Sequence, residues 1–126
     1  KNIPSVRTYV SLDGGMGDNI RPALYDSKYE AVVANKMDSL NLSSVETVTL
    51  AGKYCESGDL LVKDISLPKI ASGDVVAIPA SGAYCFAMSS NYNMNPRPAI
   101  IIISNGKPKL IRKRETYEDL MALDII

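Results

Sequence analysis

The chain has 126 residues, of which 46% are hydrophobic and 22% charged, values typical of one globular domain. Fourteen basic residues balance fourteen acidic ones, so no net charge attracts nucleic acid or an anionic membrane surface, and no apolar run reaches the length of a membrane span. The absence of histidine and the presence of only two cysteines exclude a histidine-based triad and predict that there is no metal site. We therefore expect a cytoplasmic domain with reduced thiols, in which Cys, Tyr, Glu, Asp or Lys carries any acid–base chemistry.

Short runs of strand-forming residues follow one another along the chain, separated by turn signals. The first, 6–12, ends in the glycine-rich loop 13–19, which matches neither a Walker loop nor a dinucleotide fingerprint. The later runs predict further strands at 29–34, 46–51, 60–65, 75–79, 99–103 and 107–114. Asn105-Gly106, between the last two, is a strong hairpin signal.

Two segments favour a helix instead. Residues 82–90 carry Ala, Phe and Met at helical spacing after a glycine, and Tyr84 falls in the first turn of this predicted helix. Residues 116–123 predict a second helix, with Thr116 as its N-cap. Together with the strands, this predicts a mainly β fold, an antiparallel barrel or sandwich with two short helices.

Three places are candidates for chemistry, and the first is the segment Arg21-Pro22-Ala23-Leu24-Tyr25. Pro22 favours an extended backbone at Arg21, and the segment brings a guanidinium and a phenol close together. Such a pair can hold a carboxylate. A surface arginine and a packed tyrosine explain the same residues.

The second candidate is the pentapeptide Cys55-Glu56-Ser57-Gly58-Asp59, between two predicted strands. The acidic neighbours Glu56 and Asp59 oppose formation of a thiolate, so we expect Cys55 to keep its proton at neutral pH and to suit proton donation better than nucleophilic attack. The alternative is a turn with a half-buried cysteine and two acids facing water.

The third candidate is Tyr84. At the start of a helix its hydroxyl can join in binding a phosphate. A buried tyrosine with one satisfied hydroxyl is the alternative.

Several motifs recur in order along nearly the whole chain. They are Asp13-Gly14-Gly15-Met16, Asp18-Asn19 with Arg21-Pro22-Ala23-Leu24-Tyr25, Ala51-Gly52 with Cys55-Glu56-Ser57-Gly58-Asp59, Gly82-Ala83-Tyr84 with Met88-Ser89-Ser90-Asn91-Tyr92-Asn93, and Arg114-Glu115-Thr116-Tyr117-Glu118-Asp119-Leu120. In order and spacing they resemble the C-terminal half of the diaminopimelate decarboxylase family. Gly17 departs from the family pattern, which has a serine or another small polar residue there.

The resemblance implies that residues 1–126 are the C-terminal β domain of a two-domain enzyme that uses pyridoxal phosphate to convert meso-2,6-diaminopimelate to L-lysine. An N-terminal α/β barrel, absent from these residues, would carry the lysine that holds the cofactor and most of the cofactor contacts. The chain on its own is therefore expected to be inactive.

For single residues, the resemblance implies that Arg21 and Tyr25 bind the substrate, with Arg21 gripping its distal carboxylate. Cys55 would donate the proton that replaces carbon dioxide, and Glu56 would recognise the distal amino group. Tyr84 would contact both substrate and cofactor, near the phosphate. The resemblance also implies a homodimer in which Cys55 and Glu56 reach the partner's active site.

Two other readings remain open. Relatives that act on ornithine, arginine or carboxynorspermidine typically have Asp after the cysteine and do not keep the Arg-Pro-x-Leu-Tyr motif in this form, so Glu56 and Arg21 favour a substrate with a second amino-acid centre. From a different class, the chain would be a stand-alone, non-catalytic β interaction domain.

Overall fold

A computed structural model of the chain describes residues 2–4, 6–37 and 44–125. The polar stretch 35–44, which the sequence predicts to be a loop, lies largely outside these residues. The described strands are β1 (Asn2–Ile3), β2 (Arg7–Ser11), β3 (Val32–Val33), β4 (Val45–Ala51), β5 (Leu60–Pro68), β6 (Val76–Ala77), β7 (Ile100–Ser104) and β8 (Lys107–Arg112). The α-helices are α1 (Arg21–Tyr25) and α2 (Tyr117–Met121), and three-residue 3₁₀ turns cover Ala34–Lys36, Phe86–Met88 and Tyr92–Met94. None of the described helices is long and apolar enough to cross a membrane.

The strands form one four-stranded sheet in the order β1-β2-β4-β5 and two strand pairs, β3-β6 and β7-β8. The predicted mainly β class is confirmed. Pairing is antiparallel except between β2 and β4, which run parallel, with Tyr9 opposite Thr49. The pairing is therefore mainly antiparallel, with this one parallel pair. The chain between β2 and β4 is long enough to cross over because it contains the glycine loop, α1 and β3.

The hydrophobic core lies where the pair β3-β6 covers one face of the sheet. Val48 and Leu50 alternate along β4, so they point to the same face, and both are fully buried. Ala31, Val33, Leu61, Val62 and Leu67 complete the buried cluster.

Strand β5 contains a bulge, in which two residues, Lys63 and Asp64, lie opposite the single residue Thr49 of β4. The pairs on either side of it are Val48 with Ile65 and Leu50 with Val62. Asp64 adopts the left-handed φ of 52° that the bulge demands. Its amide donates to the Thr49 hydroxyl oxygen over 3.1 Å, which satisfies a buried threonine. The strand continues to Pro68, three residues beyond its predicted end.

Two local expectations were wrong. Residues 82–90 form no α-helix, because Tyr84 has a φ of 63° and only the 3₁₀ turn Phe86–Met88 follows it. Besides α2, the structure has an α-helix where none was predicted: α1 includes Arg21, whose backbone was expected to be extended. Pro22 is accommodated because it lies in the first turn, where its missing N–H is not needed.

The C-terminal expectations are confirmed. Asn105 and Gly106 have φ values of 51° and 71°, as a two-residue hairpin turn requires. Helix α2 begins after Thr116, whose hydroxyl accepts from the Asp119 amide over 3.2 Å, while Asp119 accepts from the Thr116 amide over 2.8 Å. This reciprocal pair is a capping box.

Candidate active site

The centre of the candidate site is Asp59, the last residue of the pentapeptide. Asp59 is 3% exposed, which rules out the alternative in which both acids of this segment face water. One oxygen accepts from the Met16 amide over 2.7 Å, and the other accepts from the Tyr54 amide over 2.8 Å. Asp59 therefore joins the glycine loop to the loop that carries Cys55, and the two segments hold a fixed relative position.

Close approach of the Asp59 and Tyr54 side chains explains why positions 15 and 17 are glycines. A Cβ at Gly15 would lie 2.6 Å from an Asp59 carboxylate oxygen and 2.7 Å from the Tyr54 ring. A Cβ at Gly17 would overlap the Tyr54 hydroxyl. Gly17, the departure from the family pattern, is thus the residue that makes room for the Tyr54 ring in this sequence.

The Tyr54 side chain is buried between these two loops, beside the carboxylates of Asp18 and Asp59. Burial, together with the negative charges of Asp18 and Asp59, raises the pKa of Tyr54 to about 12. The phenol therefore stays protonated at neutral pH, and Tyr54 serves as a packing surface rather than as an acid–base group.

Arg21, Tyr25 and Tyr84 come together at the start of α1. The Arg21 guanidinium carbon lies 5.5 Å from the centre of the Tyr25 ring and 5.7 Å from that of Tyr84, so it makes a cation–π contact with each. The expected proximity of guanidinium and phenol is confirmed. Tyr25 is 58% exposed and Tyr84 66% exposed, which rules out the alternatives of a packed Tyr25 and a buried Tyr84.

The backbone on both sides holds this cluster. The Arg21 amide donates to the buried Asn19 side chain over 3.2 Å, at the end of the glycine loop. Tyr84 reaches Arg21 from a left-handed turn rather than from a helix N-terminus. The phosphate argument based on a helix N-terminus therefore no longer applies.

Cys55 and Glu56 lie on the next loop, and both are exposed. Exposure of Cys55 rules out the half-buried alternative. One Glu56 oxygen accepts from the Gly58 amide over 3.1 Å and from the Ser57 hydroxyl over 3.2 Å, which shapes the turn. The loop abuts α1, since a Cβ built at Gly58 would lie 3.9 Å from the Ala23 methyl.

The predicted site residues thus form two groups. Arg21, Tyr25 and Tyr84 are in mutual contact through the guanidinium. Within the described residues, no hydrogen bond, ion pair or ring contact links this group to Cys55 or Glu56.

Sequence reasoning missed two residues that hold the site together. Asn93 accepts from the Cys55 amide over 2.9 Å. Glu115 accepts from the Arg97 amide and side chain, at 2.9 and 2.8 Å, and from the Asn91 amide group at 2.7 Å, and these bonds lower the pKa of Glu115. Both residues stand inside the motifs that carried the family resemblance, but their partners are far away in the sequence, so no local pattern reveals their roles.

Residues 1–82 match the family model for the C-terminal sheet domain of pyridoxal-dependent decarboxylases, and the chain belongs to this family. It is 52% identical to the diaminopimelate decarboxylase of Bacillus subtilis over 125 residues, which cover 99% of this chain and 28% of that protein. It is 50% identical to the enzyme of the same name from Synechocystis over 126 residues, which cover 100% of this chain and 26% of that protein.

The fold agrees with these relatives. The crystal structure of the diaminopimelate decarboxylase from M. jannaschi superposes with a TM-score of 0.87 at 39% identity, and the match covers 100% of this chain and 28% of that one. The resemblance seen in the sequence is confirmed. The chain spans little more than a quarter of the length of the proteins it matches.

Proposed function

We propose that this chain is the C-terminal part of a longer enzyme that decarboxylates meso-2,6-diaminopimelate to L-lysine with pyridoxal phosphate. The observation that carries the proposal is the convergence of Arg21 on two exposed tyrosines from separate segments, on the same domain as the exposed pair Cys55-Glu56. The names of the relatives at 50% and 52% identity support the choice of substrate.

Arg21 binds the distal carboxylate of the substrate. No carboxylate among the described residues forms an ion pair with it, so its charge remains available to a ligand. The rings of Tyr25 and Tyr84 restrict the orientation of the guanidinium plane, which favours two parallel hydrogen bonds to a carboxylate.

Glu56 binds the distal ammonium group. Its Oε1 atom is used within the turn, and its other oxygen makes no hydrogen bond or ion pair among the described residues. A cationic and an anionic side chain on one domain match a substrate with both an ammonium and a carboxylate at its distal end. Ornithine or arginine lacks this carboxylate and would leave Arg21 unpaired, which disfavours the related decarboxylases as the function.

The exposed face around Tyr84 fits the cofactor. An exposed phenol offers a hydrogen-bond donor to a phosphate group. Tyr84 would contact this phosphate, while the rest of the longer protein holds most of the cofactor. Pyridoxal phosphate supplies the electron sink for loss of carbon dioxide.

Cys55 donates its thiol proton to the substrate carbon that has lost carbon dioxide. Its exposed thiol can enter a cleft formed with another part of the enzyme. Cys55 and Glu56 reach the site of the partner subunit in a homodimer, so that each active centre is shared and proton delivery depends on assembly.

The substrate assignment is tested with Arg21→Lys in the longer protein. Lysine keeps the charge but loses the planar fork, so we expect kcat/KM for diaminopimelate to fall by about tenfold or more, mainly through KM. Arg7→Lys is the matched control, because Arg7 interacts with Asp64 and Tyr9 on the sheet rather than with Tyr25 or Tyr84, and it should change kcat/KM by less than about twofold. Unchanged kinetics for Arg21→Lys, or no lysine formed from diaminopimelate by the wild type, would contradict the proposal.

The shared site is tested by mixing subunits of the longer protein. A Cys55→Ala chain is mixed with a chain that lacks the cofactor-binding lysine of the barrel. Each homodimer should be impaired, whereas random mixing should recover up to about a quarter of wild-type activity, because about half of the dimers are mixed and each has one intact centre of two. No recovery despite verified subunit exchange would mean that Cys55 acts within its own subunit. The 126-residue chain alone should release no carbon dioxide, even with added cofactor.

A further inference from the structure

The amide of Cys55 is bound by a residue far away in the sequence. The other amide bonds of this turn are local: Glu56 donates to the Tyr54 carbonyl over 2.9 Å, and Asp59 to the Glu56 carbonyl over 3.1 Å. Cys55 instead donates to the Asn93 side-chain oxygen over 2.9 Å, across 38 positions of sequence. This bond ties the backbone of Cys55 to a separate segment of the domain.

Asn93 has an unusual backbone conformation. Its φ is 52°, and the φ of the next residue, Met94, is 56°. Asparagine tolerates the left-handed region, whereas Met94 does so only at a steric cost. Such strain persists where the surrounding structure enforces it, and it often occurs at functional sites.

Contacts of the three residues before Asn93 hold this segment in place. The Tyr92 ring stacks on the Tyr54 ring, with 6.0 Å between the centres. The Asn91 side chain donates to Glu115 over 2.7 Å, and the Ser90 amide donates to the Gly17 carbonyl over 3.0 Å. The Asn93 oxygen is therefore a fixed acceptor, anchored to the same framework that holds the glycine loop.

We propose that Asn93 is the positioning residue for Cys55: through the Cys55 amide it holds the exposed loop where the thiol can deliver its proton. The inference rests on the proposed role of Cys55 as proton donor. Proton transfer requires the donor to lie within hydrogen-bond reach of the acceptor, and an exposed loop without this tie samples positions in which the thiol is out of reach.

The experiment uses the longer protein with two substitutions at one position. Asn93→Gly keeps the left-handed backbone but removes the acceptor oxygen, whereas Asn93→Asp keeps both. Asn105→Gly is the matched control, because Asn105 is also a left-handed asparagine, in the distant β7-β8 turn. Kinetics with diaminopimelate are combined with amide hydrogen exchange at Cys55, which reads the hydrogen bond itself and does not depend on turnover.

We expect Asn93→Gly to lower kcat by about tenfold to a hundredfold with KM changed less than about twofold, because the bound substrate meets a misplaced donor. Exchange at the Cys55 amide should be about twofold to tenfold faster. Asn93→Asp and Asn105→Gly should stay within about threefold of wild type in both measurements.

The inference is overturned if Asn93→Gly keeps the wild-type kcat, if its Cys55 exchange is unchanged, or if Asn93→Asp loses as much kcat as Asn93→Gly. A Cys55→Ala variant separates this from the proposed function. If Cys55→Ala keeps the wild-type kcat, the role of Cys55 fails and the inference fails with it. If Cys55→Ala lowers kcat and Asn93→Gly does not, only the positioning role of Asn93 is lost.

Discussion

Strand β4 of the hairpin β4-β5 and strand β7 of the hairpin β7-β8 are both rich in β-branched residues, but they have opposite surroundings. In β4, Val48 and Leu50 are fully buried beneath the pair β3-β6. In β7, three consecutive isoleucines, Ile101 to Ile103, are at least half exposed, and within the described residues β7 and β8 pair only with each other. The comparison teaches that an apolar, β-branched run determines that a strand forms, whereas burial depends on which other elements pack against it.

The ends of the two hairpins also differ. The β4-β5 connection is fixed by Asp59, which is bonded to the backbone of two loops. The β7-β8 connection is the free two-residue turn at Asn105-Gly106, and the polar tie on that side is Glu115 with Arg97, beyond the end of β8. The first hairpin therefore has the larger share of the stabilising contacts.

The largest expected effect is at the connection of the buried hairpin. Asp59→Ala leaves the Met16 and Tyr54 amides without an acceptor, so the free energy of unfolding of this chain should fall by about 3–5 kcal/mol. Asp13→Ala, at an exposed position of the glycine loop, should change it by less than about 0.5 kcal/mol. Urea unfolding measures both. Equal losses would mean that Asp59 does not hold the two loops together.

The next largest effect on stability is expected from substitutions within strands β4 and β7. Leu50→Ala, at 0% exposure, should cost about 3–4 kcal/mol of unfolding free energy because it removes buried surface and leaves a cavity. Ile102→Ala, at 51% exposure, should cost about 1 kcal/mol or less. The two midpoints in urea can be compared directly. A loss at Ile102 as large as that at Leu50 would break the distinction between the hairpins.

The smallest expected effect is a pH dependence of the unfolding free energy. It arises at Asp74, just before β6 of the pair β3-β6 that covers the buried hairpin. Bonds from the Ala71 amide, Lys36 and Asn35 lower the pKa of Asp74 to about 2. A lowered pKa means that the charged form stabilises the folded chain above about pH 4, and this contribution is lost as the pH falls from about 4 towards 2.

Asp74→Asn should therefore be less stable than wild type at pH 5, with the difference shrinking towards pH 2. Urea unfolding at several pH values in this window checks it. Lys36→Met, which removes one of the partners of Asp74, should show a smaller version of the same change. If the difference in unfolding free energy between wild type and Asp74→Asn stays constant with pH, the charge of Asp74 does not contribute to stability.

Much of the local structure could be predicted. The predictions of the hairpin at Asn105-Gly106 and of the cap at Thr116 are confirmed, because each feature depends on a few adjacent residues with strong backbone preferences. The proximity of Arg21 and Tyr25 was also predicted, since the two residues are close in sequence. The backbone that brings them together was not, because Pro22 is compatible both with an extended chain and with the first turn of a helix.

The sequence by itself determined the mainly β class, the family and the set of candidate site residues, because alternating side chains, turn residues and ordered motifs are local properties. Only the tertiary structure decided that Asp59 is buried, that Tyr84 reaches Arg21 from a left-handed turn, and that Asn93 holds the Cys55 amide. Each of these depends on a partner tens of residues away. Burial and hydrogen bonding over such distances follow from how the loops pack together, and the preferences of neighbouring residues do not specify that packing.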